Sequence, residues 1–285
     1  MVNPMKNRYS AIPYTIWMAI FIVVPLLLVA WFAFTAQVPV DGAEGEMTTV
    51  LTLSHISQVG RFAPVLMRSV YLAAIATIIC MITGYPVAFI MSRVGSSHRR
   101  TLLMLIMLPM WMNFLLRTYA WMTLLEKNGL INSFFGLFGL GPFNMINTGG
   151  AVVLGMVYNY LPFMILPLYS IMTKIETTTI EAARDLGADP IRVFTKVVFP
   201  LSVPGIKTGV TMVFVPAVST FIISRMLGGG GYLLIGDLID LQFLGNAYNP
   251  HLGAAISLVL MVLILLCMSI FNQFGDEEEM EGTLL

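Results

Sequence analysis

Six stretches of this chain stay apolar for the length of a membrane, and that settles the fold class before any motif is considered. A hydrocarbon core roughly 30 Å thick is crossed by about 20 apolar residues in a helix rising about 1.5 Å per residue. That ruler places spans near 14–36, 65–91, 101–125, 150–172, 204–225 and 251–273. Only structures that satisfy their own backbone hydrogen bonds survive in lipid, so the expectation is an all-α integral membrane protein with six transmembrane helices. Of the 285 residues, 58% are hydrophobic and 11% charged, against about 25% charged in soluble domains. Mean hydropathy is +0.85. The first span follows a short basic leader, residues 1–10. Its apolar run outlasts the roughly 7 to 15 residues of a signal sequence, so it is read as a retained anchor.

Basic residues are held on the cytoplasmic side. Lys6 and Arg8 precede the first span, Arg93, Arg99 and Arg100 crowd the second link, and Lys174, Arg184, Arg192 and Lys196 fill the link before the fifth. The opposite loops carry chiefly Arg61 and Lys127 and are rich in Gly, Asn and acids, as in the acidic segment 41–47. Both termini are therefore expected in the cytoplasm, and the acidic tail 275–282 is read as a solvated end. No internal repeat stands out, and 1–285 is read as one transmembrane domain.

The remaining composition mostly excludes. A net charge of zero argues against a nucleic-acid partner. Cys80 and Cys267 sit in apolar runs as small hydrophobes, and the 21 methionines are scattered packing residues. His55, His98 and His251 occupy different loops and span ends, so neither a metal centre nor a catalytic dyad is expected. "GIKTG" at 205–209 has the letters of a phosphate loop, but Ile206 separates the glycine from Lys207 and no glycine stands five before. The glycine run at 228–231 is read as an exterior turn. The chain is expected to be no enzyme and to bind no cofactor of its own.

The stretch "EAARDLGADPIRVFTKVVFP", 181–200, breaks this greasy pattern. Thr178 and Glu181 have the spacing of a capping box, so a helix is expected over Thr179 to Leu186. Gly187 can take the left-handed conformation that ends it. Asp189 and Pro190 then supply an N-cap and a first helical residue. Ile191, Phe194 and Val198 recur with helical period on the second helix. Two readings of the resulting hairpin stay open on these grounds: a surface for a protein partner, or a hairpin lying along the membrane interface.

The same stretch resembles the EAA loop of binding-protein-dependent ABC importer permeases. Glu181, Ala182, Ala183, Gly187 and Pro200 match that pattern, while Val197 and Phe199 replace its Ile and Leu with other apolar residues. The resemblance implies a type I ABC importer permease fold, with 173–203 as the coupling loop that docks on a cytoplasmic ATPase subunit. "GYPVAF" at 84–89, "LPMWMNFLLRTYAWMTLLEKNGLIN" at 108–132, "VYNYLPFMILPLYS" at 157–170 and "LLIGDLIDLQFL" at 233–244 further resemble the first, B-type permease of spermidine/putrescine importers. Implied partners are a second permease, two ATPase subunits using ATP and Mg, an extracytoplasmic solute-binding protein and membrane lipid, in a bacterial inner membrane. Permeases for other small solutes share the fold, and an ion-coupled secondary transporter is the alternative from another class.

Polar groups inside spans usually face a bundle interior or a wet cavity. Asn113, Arg117 and Trp121 recur every four residues on the third span, and Tyr158, Asn159 and Tyr160 lie near the middle of the fourth. Pro162, Pro167 and Pro216 can kink their helices. For a polyamine, Trp111, Trp121, Tyr158 and Tyr160 offer aromatic faces and Asp237 and Asp240, three apart, offer charge at an outer mouth. Arg117 opposes a cation unless an acid such as Glu126 pairs with it. An interfacial aromatic belt and a solvated acidic face are the plainer readings of the tryptophans and of the Asp pair.

Overall fold

The computed structural model describes residues 12–39 and 47–283. In chain order, helix α1 (Ile12–Ala33) leads to strands β1 (Thr35–Pro39) and β2 (Met47–Leu51) and the short helix α2 (Ser54–Val59). Helices α3 (Ala63–Arg93), α4 (Ser96–Trp111), α5 (Phe114–Leu125), α6 (Leu130–Gly136) and α7 (Gly149–Met172) follow. Then come α8 (Thr177–Asp185), α9 (Pro190–Ser219), α10 (Ile222–Leu227), α11 (Ile235–Phe243) and α12 (Pro250–Thr283). The basic leader and most of the acidic segment 41–47 lie outside the described residues, as do the side chains of the acidic tail.

Five helical stretches among the described residues are long and apolar enough to cross a membrane, and they agree with five of the six expected spans. The third expected span, 101–125, is not one helix. It breaks after Trp111, and the rods Ser97–Trp111 and Phe114–Gly136 meet at 90°. Pro109 sits inside the last turn of α4, where it has no amide to donate to Leu105 O and so weakens the helix end, and Met112 is extended. Asn113 then starts the next helix, its Oδ1 accepting from the amides of Leu115 at 2.8 Å and Leu116 at 3.4 Å. The helical expectation also omits a two-stranded antiparallel sheet, in which Thr35 faces Leu51 and Val38 faces Thr48. Its Thr and Val residues suit an extended, half-exposed ribbon.

Contacts divide the chain into two compact units. The first holds the described residues up to Pro64 together with Leu238–Leu263. Its α1 leaves nearly all of its apolar side chains exposed, as a helix solvated by lipid does. Where α1 ends, Ala33 and Thr35 are buried. Thr35 Oγ1 donates to the Trp31 carbonyl at 2.8 Å, and His251 Nδ1 lies 3.1 Å from the Phe32 carbonyl and 3.2 Å from Thr35 Oγ1. His251 thus serves a strand–helix junction.

The second unit, Val65–Asp237 with the remainder of α12, is built on α3, α7 and α9. Here the two glycines of "GIKTG" have a role that the phosphate-loop comparison does not touch. A Cβ on Gly205 would lie 3.2 Å from Ile171 Cβ and 3.3 Å from Leu168 Cα, and one on Gly209 would lie 2.7 Å from Met164 Sδ. Spaced four apart, they form the stripe of small residues that lets two membrane helices approach closely. Gly84 does the same for α3, where a Cβ would sit 3.2 Å from Met164 Cγ. Tyr85 Oη and Ser202 Oγ, 2.9 Å apart and buried, tie α3 to α9 with a hydrogen bond that lipid cannot replace.

Gly205→Leu should therefore destabilise the detergent-solubilised protein by about 1–3 kcal/mol through overpacking. Gly205→Ala should lose less. Gly60→Ala, where the backbone is helical and an added methyl meets nothing within 4 Å, should melt no lower than the parent. Thermal melting of the three variants checks the order.

Candidate functional site

The hairpin between α7 and α9 is assembled from three terminators. α8 starts at Thr177, with Glu176 as its cap residue, and not at Thr179. Among three consecutive threonines, Thr178 donates its hydroxyl to the Glu176 carboxylate at 3.0 Å, so the expected box with Glu181 does not form. Glu181 lies instead along the wall of a groove. At the other end Gly187 has φ +84°, a region that penalises side chains with a Cβ. Its amide donates to Arg184 O at 2.8 Å and that of Ala188 to Ala183 O at 3.1 Å, which closes the helix end. Asp189 Oδ1 then accepts from Arg192 N at 2.7 Å and Pro190 opens α9, as the sequence predicts.

The second helix divides the three residues that share its helical period. Ile191 is 72% exposed and Phe194 also faces outward, whereas Val193 and Val198 are buried. A π turn over Phe194–Val198 adds one residue to the local turn, which brings residues five apart onto one side. Val193 and Val198 join Ile175 and Ile180 in a small core, backed by Phe89, Ala183 and Ala188. Beside it lies a groove of about 470 Å³ whose walls include Phe89, Arg93, Glu181, Arg184, Val193 and Phe194. Glu181, Ala182 and Gly187 are exposed and Ala183 is half-buried. Leu186, 90% exposed, and Ile191 present apolar side chains at the tip. The hairpin is thus a preformed, partly apolar surface. It is continuous with the membrane helix, because Pro190–Ser219 is a single rod.

The groups expected along a solute path meet only in part. Trp121 and Tyr158 come together edge to face, with ring centroids 5.4 Å apart. Asn159 is buried, and its Nδ2 donates to Gly155 O at 2.9 Å. Tyr160 Oη donates to Pro216 O at 3.4 Å, a carbonyl near the end of α9 where helical partners run out. Trp111 is 79% exposed at the helix break, away from this group, and Asn113 spends its side-chain oxygen on the cap. Arg117 is buried, with its guanidinium 5.9 Å from the Phe114 ring centroid. It forms no ion pair with Glu126 among the described residues. Nine residues are two and a half helical turns, which sets the two on opposite sides.

Asp237 is not an exposed mouth carboxylate. It is fully buried; its Oδ2 accepts from Ser224 Oγ at 2.6 Å and Leu234 N at 2.9 Å, with Arg225 Nε 3.7 Å from Oδ1. Lying in the first turn of α11, it satisfies an amide at the helix start and favours the positive end of the helix dipole. Ser69 Oγ takes the next amide, Ile235 N, at 2.8 Å. Only Asp240 keeps partial exposure. Ser69, Ser224 and Tyr85 were not singled out by the sequence, since nothing local marks a hydroxyl whose partner lies on another element, 166 residues away for Ser69, 117 for Tyr85 and 13 for Ser224. An acid two residues past the first helical position was the available signal for Asp237.

Apolar helices long enough to cross a membrane, with a helical hairpin joined to one of them, define the class as an integral membrane protein. Residues 84–276 match the family of binding-protein-dependent transport system inner membrane components, and the chain belongs to that family. It is 36% identical over 272 residues to the spermidine/putrescine transport system permease protein PotB of Haemophilus influenzae, covering 93% of this chain and 94% of that one. PotB of Escherichia coli is 35% identical over 259 residues, with 90% and 92% covered. A chain in the crystal structure of a bacterial ABC transporter involved in the import of the acidic polysaccharide alginate has the same fold, with a TM-score of 0.77, 15% identity and 96% of both chains covered.

Two substitutions separate the parts of this site. Gly187→Val should strain the turn by about 1–3 kcal/mol and speed amide exchange across 181–193 while the spans stay protected; Gly187→Asn should do so less. Asp237→Ala should leave Leu234 N without its acceptor and the Ser224 hydroxyl with only the Phe221 carbonyl, 2.9 Å away, at a cost of about 1–3 kcal/mol. That loss should appear as a lower melting temperature with normal exchange in the hairpin.

Proposed function

We propose that this chain is the first permease subunit of an ATP-driven importer of spermidine and putrescine. The observation that carries the substrate class is the 36% identity to a spermidine/putrescine permease along nearly the whole of both chains. A second permease completes the pathway across the membrane. Two ATPase subunits bind ATP and Mg; one docks on this hairpin through Glu181, Ala182, Ala183 and Gly187, and the other on the second permease. An extracytoplasmic binding protein delivers the solute. The arginines and lysines of the links put the hairpin and both termini in the cytoplasm.

In this mechanism the ATPase subunits close on ATP and draw the paired hairpins together. α9 carries that movement into the membrane as a rod, and the glycine seam passes it to α7, where Tyr158 meets Trp121. Aromatic faces attract an ammonium group without fixing it in place. Arg117 faces Phe114 and not an acid, so at this level a polyamine is held by ring faces and carbonyls. Its carboxylate partners come from other subunits.

Reconstitution with the cognate subunits tests the reading. Vesicles loaded with ATP should accumulate labelled spermidine and putrescine, with unlabelled polyamine competing and thiamine or sulfate having no effect. ATP-driven uptake of a different solute would overturn the substrate assignment. Uptake by this chain alone under an ion gradient would overturn the ATP-driven mechanism.

A further inference from the structure

Outside the hairpin and the solute path, the second unit holds a second concavity, a groove of about 620 Å³ between α3 and α7. Its walls are apolar: Leu72, Ile75 and Ile79 from one helix, Val153 and Val157 from the other. Gly149, Gly150 and the Tyr232 ring line one end. A Cβ on Gly150 would meet only Thr148 Oγ1, at 3.8 Å, so the glycine leaves that end open. At the same end stands Arg68, one turn before Leu72. It is an exposed cation in a helix that is otherwise apolar for most of its length. Its Nη1 donates to Gly231 O at 3.3 Å and its guanidinium lies 5.8 Å from the centroid of the Tyr232 ring.

We infer that this groove seats one anionic glycerophospholipid, with an acyl chain between α3 and α7 and the phosphate on Arg68. Length, charge and closure support it. From Arg68 to Ile79 is eleven residues, about 16 Å, or one leaflet of a roughly 30 Å core. The groove does not continue across the membrane, because α3 and α7 come into contact where Gly84 meets Met164. A docked transmembrane helix, about 10–12 Å wide and spanning both leaflets, would need a channel that runs the full depth. An acyl chain needs only half of it. The phosphate would meet Arg68 together with the Gly149 and Gly150 amides, which lie in the first turn of a long helix and have no acceptor within it. Phe89 and Arg93, which line the hairpin groove, stand at the opposite end of α3, so the lipid belongs to the leaflet away from the hairpin.

The test is native mass spectrometry of the assembled importer, delipidated in detergent and titrated with palmitoyl-oleoyl phosphatidylglycerol or phosphatidylcholine. The parent should hold one phosphatidylglycerol about fivefold more tightly than phosphatidylcholine, the factor that one basic side chain contributes at a lipid surface. Arg68→Gln should bring that ratio near one and Arg68→Lys should keep it. Ile75→Trp, which fills the groove, should weaken both lipids, and the intact complex mass in the same spectra confirms assembly. A photocrosslinking residue at position 79 in native membranes should gain the mass of a lipid. Equal affinity of the parent for the two lipids, an unchanged ratio in Arg68→Gln, unchanged binding in Ile75→Trp, or a crosslink at position 79 to another polypeptide would each overturn the inference.

Discussion

The seam between α7 and α9 is the contact on which the rest of the second unit depends. Lipid tails are as apolar as leucine, so helices in a membrane gain little by burying apolar surface and rely on close packing. Gly205 and Gly209 provide it by letting Ile171, Leu168 and Met164 reach the α9 backbone. Met164 also meets Gly84, so one α7 residue lies against both neighbouring helices. The buried Tyr85–Ser202 pair adds direction to that packing, since a hydroxyl in this interior has few other partners.

The same seam gives the hairpin its mechanical meaning. A docking surface on a flexible loop would absorb a partner's push. Here the loop is closed at Gly187, capped at Asp189 and packed on its own small core, and then becomes α9 with no break before Ser219. Pro204 and Pro216 each remove one hydrogen bond from that rod, and the π turn before them turns Val193 and Val198 together toward Ile175 and Ile180.

Much of this was legible in the sequence, and what was missed has physical causes. The spans follow from length and apolarity, and the hairpin's punctuation from residues whose backbone preferences are strong: Gly at a left-handed position, Asp before Pro at a helix start. The pairing of Val193 with Val198 in the hairpin's core was not legible, because the π turn that makes it leaves no mark in a pattern counted at 3.6 residues per turn. Asn113 looked like one member of a polar stripe with Arg117 and Trp121, yet it caps a helix that starts anew after Pro109. Asp237 and Asp240 share a helix face, but the hydroxyl of Ser224, on the preceding helix, and the amide of Leu234 draw one of them into the interior. Spacing along a helix reports which residues share a side. It does not report which partner the fold brings to them.

Rigid continuity between hairpin and span is most directly measured as a distance within α9. Spin labels at Ile191 and Thr208, seventeen residues apart, should give one separation near 26 Å from helical rise alone. Pulsed electron resonance on the assembled importer, nucleotide-free and then trapped with ATP, should return that same narrow distance in both states. A second population or a shift on trapping would place a hinge between the labels, at the π turn or at Pro204, and contradict transmission through a rod.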